Sequence, residues 1–293
     1  MKPRDYLELV VLAAIWGGSF LFMRIGAPEF GALPMAGVRV GVASLVLIPL
    51  LMQRAGMAEL KREWPKLLLL GLLNNAIPFA LYSFAALSIT AGLASILNAT
   101  TPLWTALVAW AWLGQRLTPD RLLGLAVGFG GVVFLAWPQA DFKPGGSGWA
   151  VLACLGATLG YGLAATFSKK HLAKTSPLTV TTGSMIGATL LLCGPAFVTR
   201  PEVMPSLKAW AGVLALGVLC TTLAYVFYFR LMRRVGPNNT VSVTFLVPVF
   251  AVLWGVLFLD EHFTLHMLAG CAIVLAGTAM ALGLSPWARR PSP

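Results

Sequence analysis

The sequence predicts an all-α integral membrane protein with ten transmembrane helices, arranged as two five-helix repeats of inverted topology. Three observations carry this reading. Of 293 residues, 58% are hydrophobic and 11% charged, with a mean hydropathy of +0.82; an ordinary soluble domain carries roughly 25% charged residues. Ten apolar stretches alternate with short polar connectors. The chain also matches itself when shifted by 146 positions.

The stretches are, in order, Tyr6–Met23, Leu33–Met52, Leu67–Leu87, Gly92–Leu113, Leu122–Trp137, Trp149–Phe167, Pro177–Val198, Leu207–Leu231, Thr240–Leu259 and Leu265–Leu284. About 20 apolar residues cross the hydrocarbon core as a helix. Helices are required because they satisfy their own backbone hydrogen bonds in lipid, and these runs lack the alternation of barrel strands. The opening Met1-Lys2-Pro3-Arg4 followed by Leu9–Ile15 has the outline of a signal peptide. Glu8 interrupts the apolar region, however, and no clear small-residue cleavage site precedes a polar mature chain, so it is read as a retained first helix.

Lys and Arg near helix ends mark the cytoplasmic side. With the N-terminus inside, that side receives Lys2, Arg4, Arg54, Lys61, Arg62, Lys66, Arg116, Arg121, Lys169, Lys170, Lys174, Arg230, Arg233, Arg234, Arg289 and Arg290. Only Arg24, Lys143, Arg200 and Lys208 fall outside. The asymmetry predicts an even helix count with both termini cytoplasmic. It also accounts for the net charge of +11 and the pI near 10.0 as a topology signal: nucleic-acid binding needs basic residues on one wettable face. Cys154, Cys193, Cys220 and Cys271 lie in apolar runs without a CxxC pair, and read as small core residues rather than disulfides or zinc ligands.

At the shift of 146, Pro102 meets Pro248, Leu113 meets Leu259, Thr118 meets Thr264, Gly124 meets Gly270 and Gly131 meets Gly277. Residues 1–138 form the first repeat, the Gly-rich 139–148 a linker, and 149–293 the second repeat with a short C-terminal tail. Five helices per half put the second half into the membrane from the opposite face, a common transporter design with a midplane site between the repeats.

The residues then carry a resemblance. Ala14-Ile15-Trp16-Gly17-Gly18-Ser19-Phe20, Arg39, Asn98-Ala99-Thr100-Thr101-Pro102-Leu103 and Leu113-Gly114-Gln115-Arg116-Leu117-Thr118 resemble the EamA-type branch of the drug/metabolite transporter superfamily. Tyr225-Val226-Phe227-Tyr228, Pro248 and Leu259-Asp260-Glu261-His262 add to it from the second half. The resemblance implies ten helices in two inverted repeats, a central cavity, and export of amino acids or related small metabolites. Gln115 stands where the family usually carries a glutamate, whereas Glu261 keeps it.

Polar residues inside spanning helices tend to face the bundle interior or a water-filled cavity. Asn74, Asn75, Tyr82, Asn98, Thr100 and Thr101 are such residues. Asn74 and Asn75 stand about 100° apart on an α-helix, so both face inward only at a wide cavity. Pro78 clashes with the carbonyl four residues back, that of Asn74, and leaves it for a ligand. Equally, these amides could only hold helices together. Pro102 and Pro248 are candidate kinks or gates at matching positions. Trp16, Trp104, Tyr82, Tyr161, Tyr225 and Tyr228 are expected to supply an aromatic lining, with Ser19 as a further substrate-binding candidate; Trp64, Trp137, Trp149, Trp210 and Trp287 lie near segment ends as interface anchors. Arg39 is either a fixed positive charge that attracts a carboxylate near the outer end of the cavity or a hydrogen-bonding hub for helix ends.

Of ten acidic residues only Glu8 falls well within a marked stretch, close to its cytoplasmic end, so no midplane carboxylate serves as a proton site. Glu261, His262 and His266 lack the HExxH order and read as loop or helix-end residues. Gly37/Gly41, Gly124/Gly128, Gly156/Gly160 and Gly183/Gly187 have the spacing of close helix packing. The sequence therefore reads as a monomeric inner-membrane exporter of small amphipathic metabolites, amino acids above all, working by alternating access with no cofactor and no metal. Its partners are the substrate and the lipid bilayer, not nucleic acid. The alternatives are a membrane-embedded enzyme acting on a lipid or prenyl substrate, and a carrier of the same fold for sugars, nucleosides or drugs.

Overall fold

The computed structural model describes residues 2–53, 56–143 and 145–284. Arg54, Trp287, Arg289, Arg290 and the tail from 285 lie outside the described residues. The described residues form helices and no strand. Nine helices among them are long and apolar enough to cross a membrane: α1 (Pro3–Phe30), α2 (Ala32–Gln53), α3 (Met57–Ala85), α4 (Ala91–Leu113), α5 (Pro119–Gln139), α6 (Ser147–His171), α7 (Pro177–Val198), α8 (Leu207–Gly236) and α9 (Asn239–Leu259). A shorter apolar helix follows, α10 (Leu265–Ala281). The chain is a multi-pass membrane protein.

Short polar residues start several of these helices by taking orphan backbone N–H groups. Thr90 accepts from Leu93 N, Ser176 from Thr179 N, Ser206 from Ala209 N and Thr264 from Met267 N. α4 and α9 end alike: Gly114 and Asp260 are left-handed, and the next residues, Gln115 and Glu261, donate backbone N–H groups to Ala109 O and Gly255 O.

α1 and α3 extend furthest beyond their apolar stretches. α1 runs on through Arg24 and Glu29, which interrupt the hydropathy but find partners: Arg24 donates to Ala86 O at 2.6 Å, and Glu29 accepts from Ser206 N at 2.6 Å. α3 begins at Met57 because its first turns are amphipathic, with Glu63 bound to Arg62 and Lys66.

α5 packs chiefly on α10; α1 lies against α8 and α9, and α6 against α3 and α4; α2 packs on α7 and α8, and α3 also on α7. Glycines allow the close approaches. A Cβ on Gly277 would fall on the backbone of Gly128, and one on Gly124 would fall on that of Ala281, so the α5–α10 seam has no room for side chains there. Gly71 likewise meets the α7 backbone at Ser184 and Ala188, and Gly217 meets α2 at Arg39 O and Val42. Cys154 and Cys220 are buried as expected, but Cys193 is exposed on α7 and Cys271 half-buried. An outward-facing cysteine costs little where the surroundings are lipid, so an apolar run alone did not place it in the core.

Two helices change winding in mid-span. Leu72–Ala76 of α3 and Val218–Leu223 of α8 are π-helical, with the wider i→i+5 turn. Proline cannot be their common cause, since Pro78 follows the first turn and Ala224 occupies the matching place after the second. In α8, Thr221 and Thr222 donate their hydroxyls to the carbonyls five residues back, those of Leu216 and Gly217. The two other candidate prolines also differ. α4 breaks at Ala99–Thr100, and Pro102 opens its second piece. α9 instead turns at Ser242, while Pro248 sits inside the unbroken helix Val243–Leu259. The matching sequence positions therefore do not make matching kinks.

Candidate functional site

The π turns put unusual chemistry at mid-depth in an apolar bundle. Asn74 and Asn75 do not diverge to opposite walls of a wide cavity. The widened turn brings the amides together, Asn74 Nδ2 donating to Asn75 Oδ1 at 3.0 Å and reaching Tyr225 OH on α8 at 3.5 Å. Asn75 is fully buried and its Nδ2 has no partner. An amide donor left unpaired in the interior costs about 1–3 kcal/mol, so a feature of this kind calls for a reason.

Around the turns, Tyr82 donates to Asn98 Oδ1 on α4 at 2.9 Å and stacks on Tyr161 of α6 at 6.2 Å between ring centroids. α1 runs along the group: Trp16 meets Tyr228 at 5.4 Å, and Phe20 meets the edge of Tyr82 at 5.7 Å. Tyr225 and Tyr228 are linked through Phe229, which stacks on the first and stands edge-on to the second. Trp16, Asn74, Asn75, Tyr82, Asn98, Tyr161, Tyr225 and Tyr228 thus belong to one aromatic and amide band contributed by α1, α3, α4, α6 and α8. Ser19 is buried on α1 one turn from Trp16. Thr101 turns its hydroxyl back to Asn98 O, Trp104 packs edge-on against Phe129 of α5 at 4.9 Å, and Pro248 lies in the helix packed against α1; none of the three joins the band.

Arg39 brings α2 into the group, a helix that the aromatic pattern alone had not included. Its Nε donates to Thr221 Oγ1 in the π turn of α8 at 3.1 Å, and its guanidinium carbon stands 3.7 Å from the centroid of the Phe79 ring. Met23 Sδ lies 3.9 Å from Nη1. Among the described residues no carboxylate pairs with Arg39, and no backbone carbonyl takes its donors, as a hub for helix ends would require. Phe79 and Thr221 carry no mark in the sequence: a phenylalanine in an apolar run gives no signal, and Thr221 is remote from Arg39 along the chain.

The two ends of α1 are held by ions. At its start, Glu8 accepts from Arg230 at 2.8 Å and from Arg234, which also pairs with Asp5 at 3.2 Å. At the other end Arg24 stands 3.4 Å from Glu261, whose carboxylate accepts the N–H of Ala91, the first residue of α4. Glu261 therefore has the expected helix-end role. His266 stacks on Phe134 and contacts Phe134 O, and no group of metal-binding side chains occurs among the described residues.

The model of the EamA-like transporter family matches residues 6–137 and again 148–283. Similar proteins include the "Uncharacterized transporter YvbV" of Bacillus subtilis, 26% identical over 284 residues that cover 95% of this chain and 92% of the relative. The "Uncharacterized inner membrane transporter YedA" of Escherichia coli is 27% identical over 285 residues, 94% of this chain and 90% of its own length. A "Probable terminal-alkyne amino-acid exporter" of Streptantibioticus cattleyicolor is 27% identical over 278 residues, 93% and 91% of the two chains. One protein of known crystal structure shares the fold, with a TM-score of 0.69 at 20% identity over 97% of this chain and 98% of its own.

Proposed function

The chain belongs to the EamA-like transporter family, and from that premise we propose that it exports small amphipathic metabolites across the inner membrane, with amino acids and related small carboxylates as the leading class. The observation that carries this reading is the mid-depth band: aromatic faces, amides and a guanidinium from six helices, with an unpaired donor at its centre. Aromatic faces suit an apolar body, and polar groups fix its headgroup. The amino-acid exporter among the relatives supports the substrate class.

Alternating access follows from two five-helix halves, residues 1–138 and 149–293, rocking about this band. Three observations support the halves. The family model matches twice, the π turns begin at positions that the 146-residue shift superposes, and the packing is exchange-symmetric, with α1 on α8 and α9 as α6 is on α3 and α4. The protein acts as a monomer with both termini in the cytoplasm. In a cysteine-free variant, single cysteines at Ala58 and Lys143 should then react with an impermeant reagent from opposite faces.

All ten acidic residues lie in helix ends, first turns or connectors, so no carboxylate at mid-depth exchanges a proton, and flux follows the substrate's own gradient. The test is counterflow of a labelled amino-acid and carboxylate panel in liposomes holding only this protein, at equal pH on both sides. Exchange without an ion gradient is expected; a strict need for a proton or sodium gradient would contradict the reading.

A further inference from the structure

We propose that Arg39 receives the carboxylate of a monoanion, so that the preferred cargo is an amphipathic monocarboxylate without a free ammonium group, and that each passage moves one negative charge across the membrane. The inference rests on the transporter reading and, within the carboxylates named there, moves the preference from zwitterionic amino acids to their ammonium-free monoanionic counterparts.

Positive charge is in excess inside the bundle. Arg39 is 7% exposed, and its partners are all neutral: a threonine hydroxyl, a phenylalanine ring and a thioether. A guanidinium presents five N–H donors in a planar fork that matches a carboxylate, and here Thr221 supplies the one oxygen acceptor among the described residues. Burying such a charge unpaired is costly. One helical turn along α8 from Thr221, Tyr225 joins Asn74, whose neighbour Asn75 holds the unpartnered, fully buried Nδ2. The band thus offers donors in excess.

Among the described residues no carboxylate stands in the band to pair with an ammonium. Asp5 and Glu8 are engaged with Arg234 and Arg230 at the start of α1, and Glu261 with Arg24 and Ala91 at its other end. Glu29, Glu59 and Asp120 lie in terminal turns of their helices, Glu63 in the second turn of α3 where it pairs with Arg62 and Lys66, and Asp141, Glu202 and Asp260 in connectors. A zwitterion could pair its carboxylate with Arg39 but would leave its own ammonium uncompensated, whereas a monoanion leaves the site neutral. Because Arg39 stays with the protein and no mid-depth acid supplies a proton, the moving charge is that of the cargo alone. A membrane negative inside then favours export, by about 50-fold in the gradient sustained per 100 mV.

The test pairs 3-(4-hydroxyphenyl)propanoate with L-tyrosine, which share ring and carboxylate and differ by the ammonium group. Each is followed in liposomes holding the full chain, with protein-free liposomes as baseline, and with and without a potassium diffusion potential set by valinomycin. The propanoate should move at least about tenfold faster than tyrosine, and a potential negative on its own side should speed its exit. Arg39→Gln should erase the preference between the two compounds, and Arg39→Lys should retain it. The compound comparison uses the unaltered chain and stands even if a variant fails to fold. Tyrosine moving as fast as the propanoate or faster, or propanoate flux indifferent to potential, would overturn the charge class and leave the transporter reading standing. Movement of neither compound, nor of any member of the wider panel, would overturn both.

Discussion

The π turn of α3 and the π turn of α8 begin 146 residues apart and share a backbone distortion, yet they spend their polar groups differently. In α8 the hydroxyls of Thr221 and Thr222 return to their own helix, and Thr221 also holds Arg39. In α3 the amides of Asn74 and Asn75 point away from their own backbone, toward each other and Tyr225, and one donor stays unmatched. One turn is a self-satisfied support that aims a cation, whereas the other keeps a buried donor without a partner. Wide turns suit both tasks because π bulges free local geometry at functional sites.

Four substitutions separate the roles of the two turns. The largest effect should come from Arg39→Met, which removes the charge that the α8 turn positions; transport should fall by about 10- to 100-fold, the loss of a hydrogen bond to a charged group, with membrane abundance kept, as initial rates in liposomes would reveal. Asn75→Leu should cost about tenfold in apparent substrate affinity by removing the unmatched donor at similar volume, read from the concentration dependence of counterflow. Thr221→Val leaves the charge but frees its fork, and about a fivefold rise in the half-saturating concentration is expected at nearly unchanged maximal rate. Pro78→Ala should change transport by about twofold or less, because α8 keeps its π turn with Ala224 in the matching place; hydrogen exchange over residues 72–76 should stay as in the unaltered chain. A large loss from Pro78→Ala would mean that the α3 turn, unlike its counterpart, depends on proline.

Much of the scaffold was legible in the sequence, since long apolar runs bounded by Ser, Thr, Pro and Gly can only be spanning helices. Leu207 and Leu265 start helices where expected, each after a hydroxyl cap. The glycine spacing anticipated close packing, as at Gly124 and Gly128 against α10. The π turns were not legible, because an extra residue in a turn leaves no mark in an all-apolar composition. Nor was the coupling of Arg39 to Thr221, a tertiary contact between helices of different halves. Most of the candidate aromatic and amide residues do gather, while Thr101 and Pro248 do not, because a threonine in a helix bonds its own turn as readily as a ligand.

The cargo is proposed to lie between the two π turns, against α1 and Arg39. The most direct test is photolabelling with a diazirine-bearing amphipathic carboxylate, followed by mapping of the adducts that excess unlabelled substrate suppresses. The account predicts competable adducts on α1, α3 and α8 near Trp16, Asn75, Tyr82 and Tyr225. Competable adducts confined to the connector at residues 199–206, or to the α5–α10 seam, would contradict it.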